Sequence, residues 1–266
     1  KTETKSDGTK IQTTTGKDGS VSKTETKKDG SSVTENKAAD GSTGTVKTDK
    51  NGQTTAETTL SSKAIETAKR NGEPVTAPVE VEASRNSNTA PTVKVELPKG
   101  TGETKVEIPV SNVKPGTVAV LVHADGGATV KIVDNSKDFI DTQDHWAKDA
   151  IDFVSARGLV NGMNDSIYAP DASTTRAQLW TILARQNNAD LTGGATWFEN
   201  AQNWAKEKGI SDGTNPNGTI NRAQMVTMLW RAAGSPAPKA TTRRFSDIMD
   251  DSYYADAVAW AVENGI

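Results

Sequence analysis

Every aromatic residue of this chain lies in its second half. The 266 residues include six Trp, three Tyr and four Phe, and all of them fall between Phe139 and Trp260. The first 138 residues therefore have only aliphatic side chains from which to build a hydrophobic core, whereas large aromatic side chains dominate most cores. This division predicts at least two structurally different regions, of which only the second can form a core of the ordinary kind.

The first 59 residues repeat with a period of eleven. Asp-Gly or Asn-Gly recurs at positions 7, 18, 29, 40 and 51, and these dipeptides favour tight hairpins because both residues tolerate positive φ. The runs between them are rich in Thr, which favours strands. Each run carries about one aliphatic residue, which offsets little of the entropy lost on ordering. We therefore expect a flexible or weakly paired stalk at 1–59, with a stable antiparallel sheet as the alternative; both would be solvated spacers.

Residues 60–136 have a different pattern and predict a small β-rich (α+β) spacer domain with one short helix. Ser62 is expected to cap a helix that ends at Asn71-Gly72. Several short runs after it alternate apolar and polar residues, as strands with one buried face do. Val118–Val122 is apolar throughout and is predicted to be the central strand. The pattern is compatible with a structural spacer or with a sugar- or protein-binding module.

Residues 138–266 contain a tandem repeat of roughly fifty residues. Thr175–Leu179 returns 46 residues later as Asn221–Met225. Apolar residues at helical spacing predict a helix, a Gly-containing loop and a helix in each copy. A Trp or Tyr followed twelve residues later by Gly marks three copies, at Trp146, Trp197 and Tyr253. We place the copies at 138–191, 192–234 and 243–266, with the second degenerate and the third truncated.

The signatures of the first copy together resemble the surface-layer homology repeat. They are Phe139-Ile140-Asp141, His145-Trp146-Ala147, Gly158–Gly162 and Thr174–Gln178. The second copy lacks the opening Phe-x-Asp, and the third begins with Phe245-Ser246-Asp247. The resemblance covers about half the chain. It implies a C-terminal fragment of a surface protein from a Gram-positive-type bacterium. The predicted fold class is therefore multi-domain: a Thr-rich stalk, a β-rich spacer and all-α surface-layer homology repeats.

Arg176 and Arg222 are the candidate anion-binding residues. Thr175 with Gln178, and Asn221 with Gln224, form capping-box patterns, so each Arg is expected at the first position of a helix. A helix N-terminus together with a guanidinium can hold a carboxylate; the alternative is a solvated Arg on a capped helix. The family resemblance implies that Arg176 helps to bind a ketal-pyruvate carboxylate on an anionic wall polysaccharide.

Four further residues are candidates for the ligand site, each with a structural alternative. Trp146 is either a core residue or a platform for sugar stacking. Asp141 is either a helix cap or a hydrogen-bond partner of sugar hydroxyls, and Asp247 is its counterpart in the third copy. Gly162 either allows a turn with positive φ or lets the backbone approach the ligand. The resemblance favours the ligand role for Asp141.

Composition and motifs argue against several other classes of protein. The net charge of −3 and the absence of a basic stripe disfavour nucleic acid as a partner. No apolar run is long enough for membrane insertion. There is no Cys, and His123 and His145 lack metal-motif spacing. No nucleotide-binding or hydrolase signature is present. We therefore expect no cofactor, no metal and no enzymatic activity.

The resemblance implies a protein that is anchored non-covalently outside the cell. Its predicted partner is an anionic, pyruvylated secondary cell-wall polysaccharide, with neighbouring surface proteins as possible further contacts. One alternative is a surface module that docks another exported protein. The other is the anchor region of an enzyme whose catalytic domain precedes Lys1.

Overall fold

The computed structural model describes residues 1–85, 88–123, 127–239, 245–249 and 251–266, with the side chain of His123 also outside the description. Contacts divide the chain into two compact units. The first, here called the sheet unit, contains Lys1–Asp138 and Trp146–Arg157. The second, the repeat unit, contains Phe139–His145 and Gly158–Ile266.

The sheet unit is built on one nine-stranded sheet. Its first six strands form an antiparallel meander: β1 (Thr2–Thr4), β2 (Lys10–Thr15), β3 (Val21–Thr26), β4 (Ser32–Lys37), β5 (Thr43–Thr48) and β6 (Thr54–Thr59). The other three are β9 (Thr92–Glu96), β12 (Thr117–His123) and β13 (Gly127–Asp134). The strand order is β1-β2-β3-β4-β5-β6-β9-β13-β12, so β1 and β12 are the two edges.

The eleven-residue period is the length of one strand plus one turn. Between β2 and β3 the Gly16 N–H donates to the Ser20 carbonyl oxygen at 2.8 Å. The Asp18 carboxylate accepts from the Ser20 N–H at 3.0 Å, which is the local bond that makes Asp a turn residue. The same bond recurs from Ser31 to Asp29 and from Ser42 to Asp40. The periodic Asp residues thus fix each hairpin turn.

The meander joins the rest of the sheet through a parallel crossover. After β6 the chain forms helix α1 (Ser62–Asn71), capped by Ser61 one residue earlier than predicted, and returns as β9 parallel to β6. Helix α1 buries Ile65 in the core. Two small parallel pairs lie in the same unit, β7 (Val75–Thr76) with β10 (Val106–Glu107) and β8 (Val81–Glu82) with β11 (Val110–Ser111). The core is entirely aliphatic: Ala56, Leu60, Ala64, Ile65, Ala68, Val75, Ala77, Val79, Val81, Val93, Val95 and Ile132.

The predicted fold class is wrong. The chain is a β-rich sheet region followed by a few helices, not a stalk and a spacer leading into all-α repeats. The first 59 residues are ordered because each strand pairs with its neighbour and β6 pairs with β9, so no strand needs a core of its own. Val118–Val122 lies in an edge strand and not in the centre.

Among the described residues, five helices follow the sheet in the chain: α2 (Lys148–Ala156), α3 (Arg176–Gln186), α4 (Glu199–Glu207), α5 (Arg222–Ala232) and α6 (Ala255–Glu263). The first of them, α2, groups with the sheet unit. The others are joined by long irregular segments, and Thr175 forms an antiparallel bridge with Thr219. Trp180 is fully buried in the core of the repeat unit, whereas Phe153 of α2 is exposed. No helix within the described residues is long and apolar enough to cross a membrane.

Candidate functional site

Helices α3 and α5 begin with the predicted capping boxes. The Thr175 hydroxyl accepts from the Gln178 N–H, and the Gln178 side-chain oxygen accepts from the Thr175 N–H at 2.8 Å. Asn221 and Gln224 exchange the equivalent bonds at 2.9 and 3.2 Å. These caps are confirmed, and they fix the first turn of each helix from which Arg176 and Arg222 project.

The repeat unit contains two grooves built from equivalent positions. Groove A, of about 600 Å³, is lined by Asn161, Gly162, Gln178, Thr181, Arg185 and Trp197, among others. Groove B, of about 360 Å³, is lined by Arg176, Asp212, Gln224, Thr227, Arg231 and Tyr253, among others. Gln178, Thr181 and Arg185 precede Gln224, Thr227 and Arg231 by 46 residues each. Each groove thus combines the second helix and Gly loop of one copy with the aromatic residue of the next.

Arg176 lies in groove B and is held on the glycine loop of the second copy. Its Nε donates to the Thr214 carbonyl oxygen at 2.8 Å and its Nη2 to the Ser211 hydroxyl at 3.0 Å. Nη2 also forms an ion pair with Asp212 at 2.5 Å. The side chain is only 12% exposed, so the alternative of a solvated Arg does not describe it. Within the described part of the chain Nη1 has no hydrogen bond, which leaves one donor group for a ligand.

The surroundings of Asp212 favour its ionised form. The Thr214 N–H, at 3.0 Å from its carboxylate, is the main cause that lowers the pKa of Asp212, and the positive charge of Arg176 adds to it. Groove B therefore holds one carboxylate and two guanidinium groups, those of Arg176 and Arg231. Their charges sum to +1, which favours a monoanionic ligand group over a neutral one.

Two arginines without a predicted role in the ligand site support the grooves. Arg185 donates from Nη1 to the Leu159 carbonyl oxygen at 3.1 Å. Arg231 donates in the same way to the Ile210 carbonyl oxygen at 3.3 Å. Each Arg thus ties the end of a helix to the glycine loop of its own copy. Their recurrence at the 46-residue spacing is the signal that could have found them.

Asp141 and Gly162 shape the turn that lines groove A. The Asp141 carboxylate accepts from the N–H groups of Tyr168 at 3.0 Å and Ala169 at 2.7 Å. These bonds, that from Tyr168 first, lower the pKa of Asp141. Gly162 has a φ of +80°, and a Cβ there would lie 2.6 Å from the ring of the buried Phe139. Gly162 is therefore required for packing as well as for backbone conformation.

The remaining candidate residues are dispersed. Trp146 belongs to the sheet unit and is 90% exposed, so the core alternative does not describe it. Arg222 is exposed at the start of α5, and it forms no ion pair with any described residue. Asp247 is exposed in the segment 245–249. The structure thus groups Arg176 with the loop of the second copy, and it does not group Arg176 with Asp141 or Gly162 of its own copy.

No cluster of three or more metal-ligating side chains occurs among the described residues. Groove B instead presents two guanidinium groups, one carboxylate and an exposed aromatic ring. Such a set of groups recognises a ligand by charge, hydrogen bonding and ring stacking.

Part of the chain is similar to known proteins. Residues 138–179 match the S-layer homology domain. An amylopullulanase of Thermoanaerobacterium thermosulfurigenes is 36% identical over 110 residues, covering 36% of this chain and 6% of that protein. The exoglucanase XynX of Acetivibrio thermocellus is 33% identical over 115 residues, covering 38% and 10%. The S-layer protein sap of Bacillus anthracis is 28% identical over 143 residues, covering 46% and 17%.

Residues 138–179 of the chain are thus similar to the S-layer homology domain, and its relatives include proteins named as S-layer proteins and as a cell surface glycoprotein. The chain spans only 6% to 17% of the length of these relatives. The absence of enzymatic activity in the whole protein stays a prediction.

Proposed function

We propose that the repeat unit anchors its protein by binding an anionic, pyruvylated secondary cell-wall polysaccharide, with groove B as the carboxylate site. The observation that carries this proposal is the placement of Arg176. Its guanidinium is fixed on three sides by Thr214, Ser211 and Asp212, and its Nη1 is left for a ligand. A cation that is fixed before binding loses little rotamer entropy when the ligand arrives.

In this mechanism the ligand carboxylate accepts a charge-assisted hydrogen bond from Nη1 of Arg176. Asp212 keeps Nη2 oriented and balances one of the two positive charges, so the groove retains a net charge of +1. Tyr253 is an exposed ring on the wall of groove B and offers a face for a sugar ring. Gln224 and Thr227 supply neutral hydrogen-bonding groups for hydroxyls.

The other candidate residues have lesser roles in the proposal. Asp141 and Gly162 shape groove A, whose lining includes one guanidinium, that of Arg185. Trp146 supplies an exposed platform for a sugar ring. Arg222 and Asp247 are proposed as weaker contacts, since no acidic side chain among the described residues fixes Arg222. Groove B is therefore expected to contribute more binding energy than any of these positions.

The experiment compares Arg176→Gln with Arg222→Gln in sedimentation of the full chain with protein-free cell walls. Both residues occupy the first position of a capped helix, so the second variant is a matched control. Arg176→Gln should weaken binding by roughly 1.5–3 kcal/mol, or about 10- to 150-fold, the scale of a charge-assisted hydrogen bond. Arg222→Gln should weaken it clearly less. Walls stripped of pyruvate should bind the unaltered chain poorly.

Circular dichroism of both variants checks that neither effect comes from unfolding. Equal binding of the unaltered chain to intact and stripped walls would exclude the carboxylate mechanism. Loss of binding only after removal of wall proteins would favour the docking of another exported protein. A larger loss of wall binding from Arg222→Gln, with the fold intact, would assign the carboxylate site to the start of α5 instead of groove B.

A second candidate function is the anchoring of a polysaccharide-degrading enzyme. Three relatives carry the names amylopullulanase, exoglucanase and endo-1,4-beta-xylanase, and each matches this chain over 6% to 10% of its own length. An anchor in such a protein would keep a hydrolase at the cell surface. The full reading frame decides this candidate, since it either encodes a glycoside hydrolase domain together with this chain or does not.

A further inference from the structure

The two grooves of the repeat unit differ in charge at one position of their glycine loops. Groove A has Asn161 immediately before Gly162, and groove B has Asp212 at the corresponding position, 51 residues later. Among the described residues that line groove A, Arg185 alone is charged. Groove B therefore contains a carboxylate at a position where groove A has a neutral amide.

The Asp212 carboxylate uses one of its two oxygens for bonds within the protein. Oδ1 accepts from the Thr214 N–H at 3.0 Å and from Nη2 of Arg176 at 2.5 Å. Within the described part of the chain Oδ2 accepts no hydrogen bond, and the side chain is 65% exposed. The carboxylate is thus held in place through Oδ1, while Oδ2 remains an acceptor for a ligand donor such as a hydroxyl group.

This carboxylate limits the negative charge that groove B can bind. Arg176 and Arg231 supply two positive charges, and Asp212 balances one of them. A ligand anion on Nη1 of Arg176 must lie near Asp212, because both anions then bind the same guanidinium. One negative charge on the ligand neutralises the groove, whereas a second one is left without a cation beside the Asp212 carboxylate, and like charges at short range repel.

We infer that Asp212 is a specificity-determining residue of groove B, which selects a monoanionic carboxylate over a dianionic group such as a phosphate monoester. This role rests on the proposed function and narrows its ligand class to a single carboxylate that lies beside a hydroxyl group, as on an acidic sugar. The hydroxyl donates to Oδ2 of Asp212, and the carboxylate accepts from Nη1 of Arg176.

Beads of a neutral polysaccharide that carry either pyruvate ketals or phosphate monoesters, at equal density, test this selectivity with the full chain. At about pH 8 each ketal has one negative charge and each phosphate monoester has nearly two, since its second pKa is about 6. The unaltered chain should bind the ketal beads roughly tenfold more tightly. Asp212→Asn should remove most of this preference, mainly through stronger binding to the phosphate beads. Asn has almost the same shape, and its Oδ1 can still accept from the Thr214 N–H.

Two controls separate selectivity from a change in structure. Asn161→Asp places the same carboxylate in groove A and should leave the ketal preference unchanged. For the unaltered chain the preference should also shrink at about pH 5, where a phosphate monoester has mainly one negative charge. Hydrogen bonding from Thr214 is the main cause that holds the pKa of Asp212 below its ordinary value, so its ionised form is favoured at this pH as well.

Equal binding of the unaltered chain to the two kinds of bead at about pH 8 would overturn the inference. So would an unchanged preference in Asp212→Asn with an unchanged circular dichroism spectrum. A loss of ketal binding in Asp212→Asn as large as that in Arg176→Gln would show that Asp212 only positions Arg176. An unaltered chain that binds neither ketal beads nor pyruvylated walls would contradict the proposed function itself, and the assignment of Asp212 with it.

Discussion

The meander β1–β6 and the helical repeats are both tandem arrays, but their units are stabilised differently. In the meander one repeat is a single strand and a turn, and its contacts are backbone bonds to the next strand and the Asp bonds within each turn. In the repeat unit the first and second copies contribute side chains to a shared core that includes the fully buried Trp180. A repeat of one strand needs a paired neighbour, whereas a repeat with two helices needs a filled interior.

The meander also shows how little core such an array requires. None of the strands β2, β3 and β4 contains a fully buried hydrophobic residue. In β6, by contrast, Ala56 and Thr58 are buried beside Val93 and Val95 of β9. Order is therefore expected to spread outward from the β6–β9 pair, with each strand stabilising the next.

The largest expected effect on stability tests whether the cores of the two units are independent. Trp180→Ala should destabilise the repeat unit by about 3–5 kcal/mol, the cost of truncating a fully buried aromatic residue. Trp180→Phe should cost less, because the Trp180 Nε1 has no hydrogen-bond partner among the described residues and only volume is lost. Hydrogen exchange resolved by peptide measures the change in α3–α5. An equal loss of protection in β6 and β9 would break the comparison between the two regions.

Substitutions in the two glycine loops are expected to have the next largest effect on stability. Gly162→Ala should destabilise the repeat unit by roughly 2–4 kcal/mol, since it combines a strained positive φ with overpacking against the Phe139 ring. Gly213 has a φ of +72°, but a Cβ there would meet only the flexible side chains of Lys206 and Gln202. Gly213→Ala should therefore cost only about 1 kcal/mol. Urea unfolding curves measure both, and equal costs would mean that Phe139 adapts to the added methyl group.

A smaller effect should be visible as a gradient along the meander. Amide protection is expected to fall from β6 through β4 to β1, because the outer strands lack buried side chains and open locally at low free energy. Hydrogen exchange at each strand measures this order. Uniform slow exchange from β2 to β6 would indicate that the meander opens only as one cooperative body.

The smallest effect concerns the turns. Bonds from Ser31, that of its hydroxyl first, lower the pKa of Asp29, and a lowered pKa stabilises the turn above the ordinary aspartate range. This contribution is lost as the pH falls through the lowered value. Amide exchange next to Asp29 should therefore accelerate at acid pH relative to the intrinsic rate, and Asp29→Ala should remove that pH dependence. An unchanged profile in Asp29→Ala would show that the carboxylate does not hold the turn.

Local signals in the sequence predicted local structure well. The capping boxes at Thr175 and Asn221 and the turns at Asp-Gly follow from side chains that bond their own backbone. The fold class failed because it depended on pairing between distant segments. Nothing within residues 1–59 indicates that β6 will lie beside β9, and composition alone placed Val118–Val122 at the centre of the sheet.

The candidate site shows the same limit. Arg176 was recognised as the first residue of a helix, which is a local property. Its partners Ser211, Asp212 and Thr214 lie 35 to 38 residues later in the next copy, and motif completeness within one copy gave no reason to look there. The regular offset of 46 residues is what relates the two grooves, once the structure shows that each spans two copies.

Strand pairing also sets the distance that the meander spans. Strands are spaced by about 4.8 Å, so six strands span only ~24 Å across the sheet. The same 59 residues fully extended would cover roughly 200 Å. Each eleven-residue repeat therefore adds one strand spacing to the width of the sheet, which is about 0.4 Å per residue. Insertion or deletion of repeats would change the width of the meander across the sheet in small, uniform steps, which makes the meander a graduated spacer and not a tether.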